Sequence, residues 1–309
     1  MTRFLIATTL CAGLAFVAPA APAETSDTGS RIAIVSAYEP ELAVLLDAVE
    51  DPDRQNINGV TFVTGRLEGQ DVVLFLSGIS MVNAAMTTQL ALDQFEIEGI
   101  VFSGIAGGVD PALSIGDVVV AERWGQYIES VFARKTEAGY VLPPFLNSDF
   151  ENYGMMHTIP VQVVRKGGTG VEERFWFPAD AHFLEVARAA AATVTLDACQ
   201  DGAACLEETP DISVGGNGVS GTAFIDNADF RAHVFKTFRA RVLDMESAAV
   251  AHVAYANDLP FIAFRSLSDL AGGSDAENEL DVFFGLAAGN SARVVRAFLA
   301  HLPEPGSSD

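Results

Sequence analysis

The chain has 309 residues, half of them hydrophobic, with 41 acidic against 18 basic side chains and a formal net charge of −23. A chain so long and apolar can bury a sizeable core, which excludes intrinsic disorder as its general state. So acidic a surface repels phosphate backbones and anionic lipid, which argues against nucleic-acid and membrane-surface partners.

The N-terminus reads MTRFLIATTLCAGLAFVAPAAPA: one arginine, an apolar stretch from Phe4 to Val17, then small residues ending in Ala21-Pro22-Ala23. That order is expected of a secretory signal peptide, residues 1–23, cleaved after Ala23 and leaving an exported chain in the periplasm or outside the cell. The run is too short and too rich in Ala and Thr to span a bilayer well, and no later stretch is expected to cross one. After it, RIAIVSAY (31–38) is a short apolar strand and PELAVLLDAVED a helix. GVTFVTGRLEGQDVVLFLSG reads as a hairpin turning through Glu68-Gly69-Gln70, MVNAAMTTQLALDQF as a helix, GIVFSGIAGG as a buried strand ending in glycines and GDVVVAERW as another strand. The alternation resumes later. HFLEVARAAAATV is a helix, RVLDM a strand, ESAAVAHVAYAND a helix, PFIAFRSLSD a strand and DVFFGLAAGNSARVVRAFLAHL a closing helix. Strands this apolar have no wet face, so the expectation is an α/β sandwich with a largely covered sheet. Between Gln126 and Gly218 the pattern loosens into Pro, Gly and aromatic residues without a composition break. The expected organisation is one domain over 24–302, with an elaborated insertion at about 127–213 and a disordered tail at 303–309. In an exported chain Cys199 and Cys205, six residues apart, are expected to form a disulfide that staples a short loop.

In covered α/β sheets ligands collect beyond the C-terminal strand ends. Those positions hold Tyr38, Glu39 and Glu41, then Ser77-Gly78, then Gly104 to Gly108, then Asp244, Met245 and Glu246, and finally Arg265, Ser268 and Asp269. Singly, each is also a helix cap or a surface acid. Together, carboxylates, one arginine and glycine-lined backbone suit a polyol or sugar site with acid–base groups. GIAGG is neither GxGxxG nor a P-loop, and it serves equally as a tight turn that allows close packing. The five histidines are scattered without ligand spacing, and GxSxG is absent, so neither a metal, a cofactor nor a hydrolase triad is implied.

These segments, with SGTAFID and LDMESAAVAHVAYANDLPFIAFRSLSD, occur in an order that resembles the nucleoside phosphorylase superfamily, most of all the 5′-methylthioadenosine/S-adenosylhomocysteine nucleosidases. The resemblance covers 31–126 and 214–301; residues 127–213 match poorly. It implies a three-layer α/β/α sandwich with a central mixed sheet, and a homodimer. It also implies an enzyme that hydrolyses the glycosidic bond of a purine nucleoside. By resemblance Asp269 is the acid that protonates purine N7, Glu41 the base for the attacking water, and Arg265 an arginine near that water. Glu246 would bind ribose hydroxyls with Met245 under the sugar, Phe224 would stack on the base, and the Ile225 backbone would read its edge. Ser77, Ala106, Gly107, Ser268 and Tyr38 would complete the pocket. Two positions depart from the family pattern: Ile105 stands where a serine helps hold the water, and Tyr38 where a methionine lies near the sugar's 5′ group.

Inverting glycoside hydrolysis needs an acid on the leaving-group side and a carboxylate on the water side, which these residue types can supply. Phosphorolysis needs cationic donors, and the chain has no Arg or Lys between Ile32 and Asp53, so water is the expected nucleophile. The alternatives are a phosphate-dependent phosphorylase and a non-catalytic nucleoside-binding or storage protein of the same fold.

Overall fold

The computed structural model describes residues 29–200, 205–273 and 278–303; the leader (1–23) and all of the tail beyond Pro303 lie outside them. The first half runs β1 (Arg31–Ser36), α1 (Glu39–Leu46), β2 (Glu50–Ile57), β3 (Val60–Leu67), β4 (Gln70–Leu76), α2 (Met81–Gln94), β5 (Ile97–Gly108), β6 (Val118–Val120) and β7 (Arg123–Gln126). Short strands follow: β8 (Ser130–Phe132), β9 (Arg134–Thr136), β10 (Gly139–Val141), β11 (Met156–Thr158), β12 (Val161–Val164), β13 (Val171–Arg174) and β14 (Trp176–Pro178). The chain then forms α3 (Ala181–Ala191), β15 (Ile212–Val214), β16 (Asn217–Ser220), α4 (Ala228–Phe238), β17 (Ala240–Asp244), α5 (Ser247–Asn257), β18 (Phe261–Asp269) and α6 (Leu280–His301).

The main sheet is mixed and its longest strand organises it. β5 is flanked by β1 and β18, both parallel to it, and its last two residues pair antiparallel with β17. From β17 the sheet continues through β16 and β7 to β14, and from β1 through β4 and β3 to β2. Both faces are covered, which is why its strands read as near-continuous apolar runs. On β1, β4 and β18 successive residues alternate between two cores: Ala33, Val35, Val73, Phe75 and Ala263 face one, and Ile32, Ile34, Val72, Leu74 and Phe264 the other. Helices α2 and α5 pack together over the first face; α1 and α3 both pack on α6 over the second. This is the three-layer arrangement expected above.

Four local expectations change. The α1 helix ends at Leu46, and Glu50-Asp51 belong to β2, an exposed polar strand at the sheet's edge. GDVVVAERW is two strands, β6 and β7, broken at Ala121-Glu122; β6 pairs with β18 and β15, while β7 pairs with β16 and β14. GIAGG is not a tight turn: β5 runs through it and ends, as expected, in its glycines at Gly108. The closing helix α6, at 22 residues, is long and apolar enough to cross a bilayer, contrary to the sequence expectation. Its apolar face is spent on β18, β5, α1 and α3, which makes it a core helix.

Within 127–213, β8 with β11, β9 with β10 and β12 with β13 form three separate two-stranded sheets. The remainder of that stretch enters the main body through β14, α3 and β15. Cys199 and Cys205 are joined by a disulfide.

Candidate active site

The cleft lies where β5 changes partners. On one side β5 pairs with β1 as far as Phe102 and with β17 only from Gly107, so β1 and β17 diverge around Ser103 to Ala106. A sheet that splits beside parallel strand ends opens a crevice there. It holds a cavity of about 530 Å³, within the range of small-molecule sites.

Glu41 comes from the first turn of α1 and is 2 % exposed. Its Oε2 accepts the N–H groups of Ala37 (2.9 Å) and Tyr38 (3.0 Å), and its Oε1 accepts the N–H of Ile105 (3.0 Å), a β5 donor beyond the β1 pairing. Burial pushes its pKa above the usual carboxylate range, although Arg265 and the three N–H groups pull the other way. Gly104 makes this approach possible. A Cβ there would collide with the Arg265 guanidinium and stand 2.9 Å from Glu41 Oε1.

Asp269 ends β18. The register against β5 slips between Leu267 and Asp269, a bulge that leaves Ser268 as an extra residue. A regular strand sends neighbours to opposite faces, yet Ser268 and Asp269 both line the cleft. The bulge therefore aims the acid. Its Oδ1 accepts the Ala271 N–H (2.7 Å) and its Oδ2 the Ser268 hydroxyl (3.0 Å). Burial raises its pKa, against those two bonds.

Glu246 follows β17 at the N-cap of α5; its Oε1 accepts the Ser80 N–H at 2.8 Å and its Oε2 lies 3.8 Å from Arg265. Burial, then the neighbouring Asp244 charge, push it up to about 7. Met245, Phe224, Ile225, Ala106, Gly107 and Tyr38 join these carboxylates on the cleft wall. Phe224 is more than half exposed at the rim, and the Tyr38 ring meets Phe284 of α6 edge-on at 5.5 Å.

Two expected residues stand elsewhere. Arg265 is fully buried behind the wall, with its guanidinium over the Phe102 ring (4.0 Å), its Nε donating to Ser247 Oγ (2.9 Å) and its Nη1 donating to the Ile105 carbonyl (3.2 Å). It therefore acts on the cleft through the carboxylates it compensates. Ser77 is also absent from the lining; its hydroxyl donates to the Gly78 carbonyl (2.9 Å) and shapes the turn before α2. Sequence reasoning left out the α6 side of the wall (Leu280, Asp281, Phe284) and gave Asp244 no role. The strand-end rule reaches Glu41, which follows β1 closely, but not the start of α6 at Leu280, which lies eleven residues beyond the end of β18 at Asp269. Asp244, by contrast, was visible as an acid beside Glu246.

The chain matches the family described as the Phosphorylase superfamily over residues 31–300. The chain belongs to the phosphorylase superfamily. Among its relatives, the 5′-methylthioadenosine/S-adenosylhomocysteine nucleosidase of Staphylococcus saprophyticus is 31 % identical over 85 % of this chain and 96 % of its own. The enzyme of that name from Listeria innocua is 32 % identical over 84 % of this chain and 95 % of its own. Among superfamily structures, the S-adenosylhomocysteine nucleosidase of Streptococcus pyogenes in complex with 5-methylthiotubericidin superposes with a TM-score of 0.66. It is 28 % identical and covers 89 % of this chain and 98 % of that one. The Neisseria meningitidis nucleosidase in complex with methylthio-immucillin-A gives a TM-score of 0.65 at 26 % identity, over 88 % and 99 %. The superfamily match includes the 127–213 stretch, which matches poorly by sequence motifs alone.

Proposed function

We propose that this chain is an exported purine nucleoside N-ribosyl hydrolase, cleaving adenine nucleosides of the 5′-methylthioadenosine/S-adenosylhomocysteine type with water. Its relatives are named as nucleosidases, which are N-glycosyl hydrolases, and it is an enzyme of that class. The observation that carries the reading is that Glu41 and Asp269, from different elements, line one cleft with Glu246 between β1 and β17.

Breaking the bond between C1′ and N9 leaves positive charge on the sugar and negative charge on the purine. Asp269 delivers a proton to purine N7 as the bonding pair moves into the base. Water adds its oxygen to C1′ and gives a proton to Glu41. The sign of each pKa direction suits the work: burial helps Asp269 stay protonated as an acid. Glu41 keeps an affinity for the proton it must accept. Glu246 takes sugar hydroxyls, Met245 packs under the ring, and Phe224 stacks on the base.

Water is favoured over phosphate by the wall itself. Among the described residues that line the cleft none is Arg or Lys, and the guanidinium of Arg265 is engaged behind them by Asp244 at 2.8 Å. A phosphate dianion there would lack charge-assisted donors. Export is supported by the sequence of residues 1–23 and by the disulfide, which persists in oxidising compartments. A homodimer is supported by the outward apolar residues Ile79, Val82 and Met86 at and on α2, beside the cleft.

The test is a panel of nucleosides incubated with mature protein, with and without phosphate, and assayed for free base and ribose-1-phosphate. Free base and ribose in phosphate-free buffer is the expected result. Phosphate-dependent turnover would assign a phosphorylase, and binding without base release over hours a binding protein.

A further inference from the structure

Glu246 occupies the N-cap of α5, yet its side chain does not cap the helix. An N-cap side chain ordinarily turns back onto the first-turn N–H groups, which lack intrahelical partners. Here those donors are met by residues on neighbouring strands. Asp244 Oδ1 accepts the N–H groups of Glu246 and Ser247, each at 3.1 Å. The Ser220 hydroxyl accepts the Ala248 N–H at 2.8 Å and donates to the same Asp244 oxygen. Asp244 thus places a carboxylate at the positive end of α5, where charge and geometry both favour it.

Its second oxygen has another task. Asp244 Oδ2 forms an ion pair with Arg265, 2.8 Å from Nε, whereas Glu246 Oε2 lies 3.8 Å from Nη2; neither Asp244 Oδ2 nor Nη2 makes a hydrogen bond, and Nε donates to Ser247. One guanidinium therefore stands among three buried carboxylates, Glu41, Asp244 and Glu246, and Asp244 takes the closest approach. Three acids and one base leave an excess of negative charge in a desolvated place, where each ionised group is costly.

We infer that Asp244 is a positioning residue for the reaction: by capping α5 and engaging Arg265 it frees the Glu246 carboxyl for the sugar and leaves it only weakly compensated. The inference rests on the cleft being a nucleoside site. The charged groups facing Glu246 are Asp244 from β17, Arg265 from β18 and Glu41 from α1, with the Ser80 N–H from the start of α2. The first turn of its own helix carries no acid. Removing the Asp244 charge deletes one repulsion and releases Arg265 toward Glu246, and both effects favour the ionised Glu246 carboxylate.

The experiment titrates the Glu246 carboxyl carbon by NMR in protein labelled at glutamate side chains, assigned by the resonance lost in Glu246→Gln. Asp244→Asn keeps an acceptor for the helix N–H groups and removes only the charge. Its Glu246 midpoint is expected about one pH unit lower than in the unsubstituted protein. Ser220→Ala loosens the cap and leaves the charge, so it is expected to raise KM for base release with the midpoint unmoved. An unmoved midpoint in Asp244→Asn overturns the electrostatic role, and an unchanged KM in Ser220→Ala overturns the capping role. If Asp244→Asn does not fold, Asp244→Glu carries the charge test, and a midpoint lowered in that variant counts against the inference. Because the titration needs no turnover, absence of base release in the unsubstituted protein would sink the nucleosidase reading while leaving this readout to decide.

Discussion

Buried carboxylates are the costliest residues in this protein, and Glu246 carries a cost that can be read out. Its folded-state pKa is raised to about 7, chiefly by burial and then by Asp244. A raised acid favours the folded state most when protonated. Its contribution is therefore complete below the ordinary glutamate value of roughly 4.5 and is lost as pH rises toward 7. Replacing Glu246 by Gln should flatten the decline of thermal stability across that window, measured as Tm against pH beside the unsubstituted protein. An equally steep decline would place the burial cost elsewhere. Gly104 tests the geometry from the other side. Ala at this position must displace the Arg265 guanidinium or Glu41, so Gly104→Ala should cost about 1–3 kcal/mol in unfolding free energy. It should also lower kcat, because Glu41 cannot keep its bond to Ile105. Native Tm together with native kcat would refute that account of the glycine.

At the scale of elements, the α6 wall of the cleft is held from outside. Gln200, beside Cys199, lies against Gly285, and the Asp197 backbone exchanges two hydrogen bonds with Asn290 (2.9 Å each). Arg293 pairs with the Asp197 side chain. The segment from Asp197 to Gln200, which includes the disulfide's Cys199, is thereby fastened to the helix that supplies Leu280, Asp281 and Phe284 to the cleft. Paired Cys199→Ser and Cys205→Ser changes should destabilise the protein by about 2 kcal/mol and raise KM more than they lower kcat. A KM that does not move would confine the disulfide to global stability.

The strands that sequence reasoning found most plainly are those buried on both faces, and the helices it found are those with a broad buried stripe. Strands β1, β4, β5 and β18 announce themselves by unbroken apolar runs; Glu41 follows the end of β1, Asp269 ends β18, and Glu246 follows the shorter apolar strand β17. The edge strand β2, EDPDRQNI, has almost no buried side chain; pairing with β3 alone defines it, and its charges and Pro52 suit an unpaired edge. Helix α4 was missed although Asn227 caps it through the Phe230 N–H, because its buried stripe is only Val234 and Phe238. The bulge at Ser268 and the partner change of β5 are properties of pairing. No single segment encodes them, yet they aim Asp269 and open the cleft.

For the whole molecule, the mixed sheet matters because β5 serves two neighbours on one side in succession. That change makes room for a ligand within the sheet itself. The apolar Ile79, Val82 and Met86 lie exposed where α2 begins beside the cleft, and a partner copy would cover them. The protein should sediment as a dimer, and Val82→Glu should sediment as a monomer with weakened base release. A monomeric unsubstituted protein would remove the dimer from the account.

The assignment of Glu41 and Asp269 to opposite sides of one bond is tested most directly by comparing two leaving groups. Purified Asp269→Asn and Glu41→Gln would each be assayed on an adenine nucleoside and on 4-nitrophenyl riboside, whose leaving group needs no protonation. Asp269→Asn should lose adenine release by about 10²–10⁴-fold and keep most nitrophenol release, while Glu41→Gln loses both. Equal losses on both substrates in Asp269→Asn, or adenine release that survives it, would contradict the account.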